Sequence, residues 1–360
     1  MLNSEQESKL KEFIDIFKKY SKTESFKADT IDREKRRDYF SKLTREKIQG
    51  MDKFLFGEIV SKLWASGFWG NKDYLINNIL SQNNFEALKE DLSKIFFEIE
   101  DSQDKYNEFR EKIKGLGPSS MTELFCLISP EKYGIWNDKA RKALKILKFD
   151  EDLPVEKYSI NGEQYKKFNS ILKEIALSLE KNGFKEVNLL FVDYFLYEVW
   201  KNGDIKEKVE IEKEESLIFD HEEMKEYVRE IGEALGFETD TEKKVAYGAI
   251  VDVIWKAKIG NLGVVIYAFE VQSKGSTDSL ILNLQKAKSN RSVQKLIVVS
   301  DSLQNNKIKR EIEGLPEEIR KAFSFWDVND VKITHQKLSE VKESIDKLDL
   351  VKDEFEIERG

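Results

Sequence analysis

Across 360 residues the chain has one cysteine and two histidines. Cys126 has no partner for an internal disulfide, and its neighbours Leu124, Phe125, Leu127 and Ile128 mark it as a small buried hydrophobe. With only two histidines and one cysteine, a zinc site is not expected. No apolar run approaches the roughly 18 residues of a spanning helix, so a membrane protein is not expected. The start, Met1-Leu-Asn-Ser-Glu-Gln-Glu-Ser, is polar and lacks the apolar stretch of a secretory signal. These absences together point to an intracellular, cytoplasmic protein. Net positive charge is also missing. At −8 the chain does not bind nucleic acid through bulk charge, although local patches stay open. Much of the negative charge lies in residues 204–223, which carry nine acids against three bases and show neither helical nor strand period.

That acidic stretch reads as a linker between two domains, and the chain is long enough for two cores. The expected division is a helical domain over 1–203, the linker 204–223, an α/β domain over 224–345 and a charged tail over 346–360. No internal repeat or low-complexity tract is present.

The organising stretch runs from Ile250-Val-Asp-Val-Ile-Trp255 through Lys258-Ile-Gly-Asn-Leu-Gly263 to Tyr267-Ala-Phe-Glu-Val-Gln272. Two apolar runs around a Gly-rich turn predict a β-hairpin. If the turn centres on Asn261, Asp252 lies directly across from Glu270. Side chains alternate along a strand, so Gln272 shares the face of Glu270. Like charges opposed on a sheet destabilise it unless something compensates. Magnesium or manganese, which takes one or two carboxylates, is the natural compensation. Upstream, Met224, Tyr227, Val228, Ile231 and Leu235 repeat with helical spacing up to Gly236. Downstream, 279–287 reads as a helix, Lys295–Ser300 as a buried strand, and more helix follows Gln304. The plain alternative is a hairpin with incidental acids.

Asp252 followed by Glu270-Val271-Gln272 resembles the PD-(D/E)XK nuclease superfamily, whose core runs helix, strand, hairpin, helix, strand. The resemblance implies a restriction-endonuclease-like domain with a mixed central sheet. It also implies magnesium (or manganese) held by Asp252, Glu270 and the Val271 carbonyl, with Glu242 or Glu230 as secondary candidates for a further ligand. Gln272 stands where the superfamily usually has Lys. An amide can orient the attacking water but cannot polarise it by charge. Some restriction enzymes of the superfamily carry Glu-x-Gln, and Lys274, two residues on, is the candidate for the missing charge.

Residues 1–203 read as nearly all helix. Leu10, Phe13, Ile14 and Phe17 form one stripe, and Met51–Trp64 and Leu189–Trp200 are further helices. The bases of 33–47 read as a solvated face, and Trp64, Phe68 and Trp69 as core. At Ile113-Lys-Gly-Leu-Gly-Pro-Ser-Ser120 one helix ends and another starts at Pro118. Gly115 and Gly117 let the backbone approach a partner, Leu116 anchors the turn, and Lys112, Lys114, Ser119 and Ser120 surround a fresh helix N-terminus suited to an anion. This Gly-Leu-Gly turn resembles the helix-hairpin-helix element of the DNA glycosylase superfamily. That resemblance implies a DNA phosphate at the turn and places Asn137, beside Asp138, where those enzymes carry a catalytic Asp. The plain alternative is a helix connection without a ligand.

The expected whole is an all-α helix-hairpin-helix domain followed by an α/β restriction-endonuclease-like domain. The expected function is metal-dependent hydrolysis of DNA phosphodiesters, with DNA as partner and a homodimer left open. Two alternatives remain: a non-catalytic DNA- or transcription-factor-binding protein with a degenerate nuclease fold, and a glycosylase-like repair protein.

Overall fold

The computed structural model describes residues 2–67, 72–203, 219–273 and 276–346. Contacts divide the chain into two units with the sequence boundary between Ile211 and Glu212. Of the expected linker, 204–218 lies outside the described residues. Its last three residues are corrected: Asp220 caps a helix that begins at His221. At the other end, helix continues to Asp346, the first residue of the expected tail, and 347–360 lies outside the described residues.

The N-terminal unit consists of α1 (Ser4–Tyr20), α2 (Glu24–Ser41), α3 (Arg45–Gln49), α4 (Lys53–Ser61), α5 (Lys72–Gln82), α6 (Phe85–Phe97), α7 (Ser102–Lys112), α8 (Pro118–Ile128), α9 (Asp138–Ile146), α10 (Gly162–Lys181) and α11 (Leu189–Asn202). Several start on an Asn whose side chain accepts an amide proton of the first turn, among them Asn84, Asn137, Asn161 and Asn188. The α1 stripe is buried as its spacing requires, and Phe17 meets the rings of Phe26, Phe184, Phe191, Tyr194 and Phe195.

Two expectations change. The helix read over Met51–Trp64 stops at Ser61 and is followed by a 3-10 turn at Trp64–Ser66. Glu123 of α8 accepts the amide protons of Trp64 at 2.6 Å and Ala65 at 2.9 Å, so the second turn has its own cap. Burial pushes that carboxyl up to about 7. The bases of α2 are not all solvated either. Arg33 pairs with Asp193 at 2.9 Å and lies over the rings of Tyr194 and Trp64. Phe68 and Trp69 lie outside the described residues.

The α7–α8 turn is built as its composition suggests. Ile113 and Leu116 are buried, and Asn83 holds the Lys114 backbone through both its N–H (3.0 Å) and its carbonyl (2.9 Å). Gly115 has φ +83°, and a Cβ there would stand 3.1 Å from the Ile79 side chain and 3.3 Å from its Cα. Gly117 is different: φ −74° and ψ 172° suit any residue, and Pro118 favours that extended conformation before it.

The C-terminal unit is a five-stranded mixed sheet in the order β1 (Glu238–Ala246), β2 (Ala249–Ile259), β3 (Gly263–Val271), β4 (Val293–Ser300) and β5 (Phe323–Asp327). The first three strands form an antiparallel meander, and β3, β4 and β5 run parallel. Parallel neighbours need crossovers: α13 (Thr277–Lys288) links β3 to β4, and α14 (Ser302–Ile312) with α15 (Glu317–Arg320) links β4 to β5. One face packs on α12 (His221–Ala234) and α16 (Val328–Asp346) through Met224, Tyr227, Val228, Ile231 and Val331. The other packs on α13 and α14 through Leu280, Leu284 and Ile308. Leu235, read as part of the α12 stripe, caps the helix and is exposed. No helix among the described residues is long and apolar enough to cross a membrane.

Gly115→Ala is expected to cost about 1–2 kcal/mol, the left-handed penalty of an L-residue. Gly117→Ala should stay within about 0.5 kcal/mol. Denaturant curves of the full chain, followed through the N-terminal unit, measure both; equal midpoints would contradict this account of the turn.

Candidate functional site

The acid pair is made by a hairpin that opens at its far end. Pairing of β2 with β3 runs from Ile259↔Gly263 to Val253↔Phe269, which centres the turn on Asn261. The next positions are Asp252 and Glu270, whose carboxyls share a hydrogen bond. There the ladder ends. The Val271 amide donates to Asp252 Oδ2 at 2.8 Å instead of to a β2 carbonyl. Gln272 donates its own amide to Val299 of β4 at 2.9 Å, so the N–H and C=O of Val271 both face β2 and Asp252.

A twist in the neighbouring strands produces this opening. Val253 and Trp255 pack on the α12 face, yet Val251 and Ala249, of the same parity, pack on the α13 face. β1 inverts in step: Thr239 bonds to Glu233 of α12, whereas Val245 packs on the α13 side. Between them Glu242, in register with Asp252, adopts φ +49°. Asp252 thus stands where the alternation of both strands turns over.

A proton and three groups compensate the opposed acids. Burial, then the Asp252 charge, pushes the Glu270 carboxyl up to about 9, so the pair holds a shared proton. Burial also works to raise Asp252, but the His221 and Val271 hydrogen bonds outweigh it and hold Asp252 below the usual range. His221 Nε2 lies 3.4 Å from Asp252 Oδ2, and that contact pushes the imidazole up to about 9. Asn283 of α13 donates to Glu270 Oε1 and, at 2.6 Å, to the Ile250 carbonyl left by the opened strand.

The remaining predicted residues divide. Gln272 is on β3's edge of the site, its carbonyl accepting from Ser300 Oγ, and its side-chain nitrogen is buried without a hydrogen-bond partner among the described residues. Lys274 lies outside the described residues. Glu242 is beside Asp252 by register, but its carboxylate reaches Lys225 Nζ at 2.8 Å. Glu230 is engaged by His335 Nε2 at 2.6 Å. Neither is brought to the acid pair as a ligand. Among the described residues no group of three or more His, Cys, Asp or Glu side chains is arranged to hold a metal as it stands.

In the N-terminal unit, Lys112 and Lys114 are exposed beside Gly115, and α8 starts at Gly117 without a side-chain cap. Ser119 donates its hydroxyl to the Trp136 carbonyl at 3.3 Å, and Ser120 is half-buried. Asn137 is committed to structure: it accepts from the Ala140 amide at 2.8 Å and donates to Asp193 at 3.3 Å. Asp138 pairs with Arg141 and Lys142, so it offers no unpaired carboxylate in place of Asn137.

No family model, no curated protein and no solved structure matches this chain.

Sequence reasoning missed His221 and Asn283. Asp220 followed by Glu222 and Glu223 is a helix-start signal that places His221 in the first turn of α12. Asn283 follows Leu280 by three residues and precedes Ala287 by four, so it sits on the sheet-facing side of α13.

The raised Glu270 and His221 values give a sign. Both groups hold a proton more tightly folded than unfolded, where about 4.3 and about 6.5 apply. Their stabilisation is complete below those unfolded values and is lost as pH rises through about 9. Asp252, lowered, acts oppositely and only in acid. The metal-free C-terminal unit should therefore melt at progressively lower temperature from about pH 6 to about pH 10, and Asp252→Asn should flatten that fall. A variant profile as steep as the parent's would refute the pairing.

Proposed function

We propose that the chain is a metal-dependent deoxyribonuclease of the PD-(D/E)XK type, acting through Asp252 and Glu270. The observation that carries this reading is the pair itself: two carboxylates in contact where the β2–β3 ladder opens, with the Val271 amide on one of them. The donor set fits a hard divalent cation, which prefers oxygen ligands. The Gln272 nitrogen, without a hydrogen-bond partner among the described residues, adds support, since a buried donor without an acceptor costs about 1–3 kcal/mol and a water or phosphate oxygen would satisfy it. Asp252, Glu270 and the Val271 carbonyl would hold magnesium or manganese, which supplies Lewis-acid charge and an activated water when bound. Gln272 orients the water by hydrogen bonding. His221 Nε2, 3.4 Å from Asp252 Oδ2, holds in the metal-free site the position that the cation would take. The helical unit is the DNA-binding part of this reading, through the α7–α8 turn with Lys112, Lys114 and the uncapped start of α8.

The second reading is a DNA- or transcription-factor-binding protein that keeps the fold without the reaction. Gln272 in place of a cation favours it, because an amide neither carries charge nor takes a proton.

Single-turnover cleavage separates the two. The parent should cut DNA with manganese or magnesium and not with EDTA. Glu270→Ala should lose cleavage by at least about a hundredfold while binding survives, and Gln272→Lys should match or exceed the parent. Silence of parent and Gln272→Lys in both metals, with DNA binding retained, would leave the second reading standing.

A further inference from the structure

The β1–β2 tip carries an aromatic ring that the fold does not use. Tyr247 is 95% exposed and Ile250, three residues on, 58%. Lys244 Nζ lies 5.7 Å from the Tyr247 ring centre, and a Cβ on Gly248 would come within 3.9 Å of Lys286 Nζ. Among the described residues neither lysine is paired with a carboxylate, although the chain is rich in acids.

The tip is held firmly. Asn290 donates to the Val245 carbonyl at 2.8 Å, and Asn283 to the Ile250 carbonyl at 2.6 Å. Asn283 is also the side chain that holds Glu270. The tip and the acid pair therefore share an anchor, and Lys286 follows Asn283 by about one turn of α13, roughly 5 Å.

We propose that this tip binds a nucleotide on the strand that carries the reacting phosphate, with Tyr247 stacked on its base and Lys244 and Lys286 on its phosphates. A ring can stack only on a base whose face is open, so the substrate class is single-stranded DNA or the unpaired flank of a duplex. An exposed ring and two unpaired cations suit a polyanion that presents flat aromatic faces. That a phosphate reacts near the tip rests on the nuclease reading; binding at the tip does not.

The test uses the full chain in EDTA with a single-stranded oligonucleotide bearing 2-aminopurine, and the same sequence as a blunt duplex. The parent should bind the single strand more tightly and quench the probe. Tyr247→Ala should weaken single-strand binding about tenfold or more and abolish the quench, Tyr247→Trp should keep both, and duplex affinity should not change. Lys244→Ala with Lys286→Ala should reduce the salt dependence of single-strand binding. Equal single-strand affinity for the parent and Tyr247→Ala overturns the proposal, whether or not the parent cleaves DNA with metal. Loss of single-strand affinity in Tyr247→Ala supports it even if no variant cleaves, in which case only the nuclease reading fails.

Discussion

Two carboxylates facing each other on adjacent strands are an electrostatic conflict, and much of the C-terminal unit is arranged around it. Left alone, Asp252 and Glu270 would push β2 and β3 apart. The structure meets the conflict in parts: a proton shared between the acids, an imidazole from α12, a backbone amide from β3 and a carboxamide from α13. The imidazole, the amide and the carboxamide come from three different elements. The result ties both layers of helices to one point on the sheet, where one carboxylate and one imidazolium stand beside a protonated acid.

The helical unit solves the opposite problem. Several of its buried charged groups are individually matched rather than opposed. Glu123 closes the turn after α4, Arg33 meets Asp193, and Lys105 donates to the last carbonyls of α6, including that of Phe96 at 3.1 Å. Burial lowers that ammonium to about 8. These are the bonds of a rigid scaffold, in keeping with an interior dominated by fixed aromatic contacts.

How far the sequence could be read depends on the range of each interaction. The Gly-Asn-Leu-Gly turn is local, and it set the register that brings Asp252 opposite Glu270. The order of helices and strands as far as β4 followed from hydrophobic period, which is also local, whereas β5, only five residues long, was not foreseen beyond Gln304. What escaped was made by distant partners. Glu123 shortens the helix read over Met51–Trp64 from about sixty residues away, and Arg33 leaves the solvent for an acid on α11. The inversion of β1 and β2 at Glu242 and Asp252 has no signature in an alternating pattern, since both strands turn together. His221 was hidden by composition: the acids of its own helix start resembled the stretch before it.

Gly232 gives α12 an uneven hold on the sheet. The glycine lies against the Trp255 indole so closely that a Cβ would sit 2.4 Å from Nε1, and that nitrogen donates to the Val228 carbonyl at 2.9 Å. The middle and far end of the helix are thereby clamped and cannot slide. The first turn is held by its Asp220 cap and by Phe219 and Met224, which stay in the core on either side of His221. His221 itself is half-buried and meets Asp252 only through its imidazole. A turn of that one side chain frees Asp252 without repacking the core, so one occupant of the acid pair can be exchanged for another at low cost.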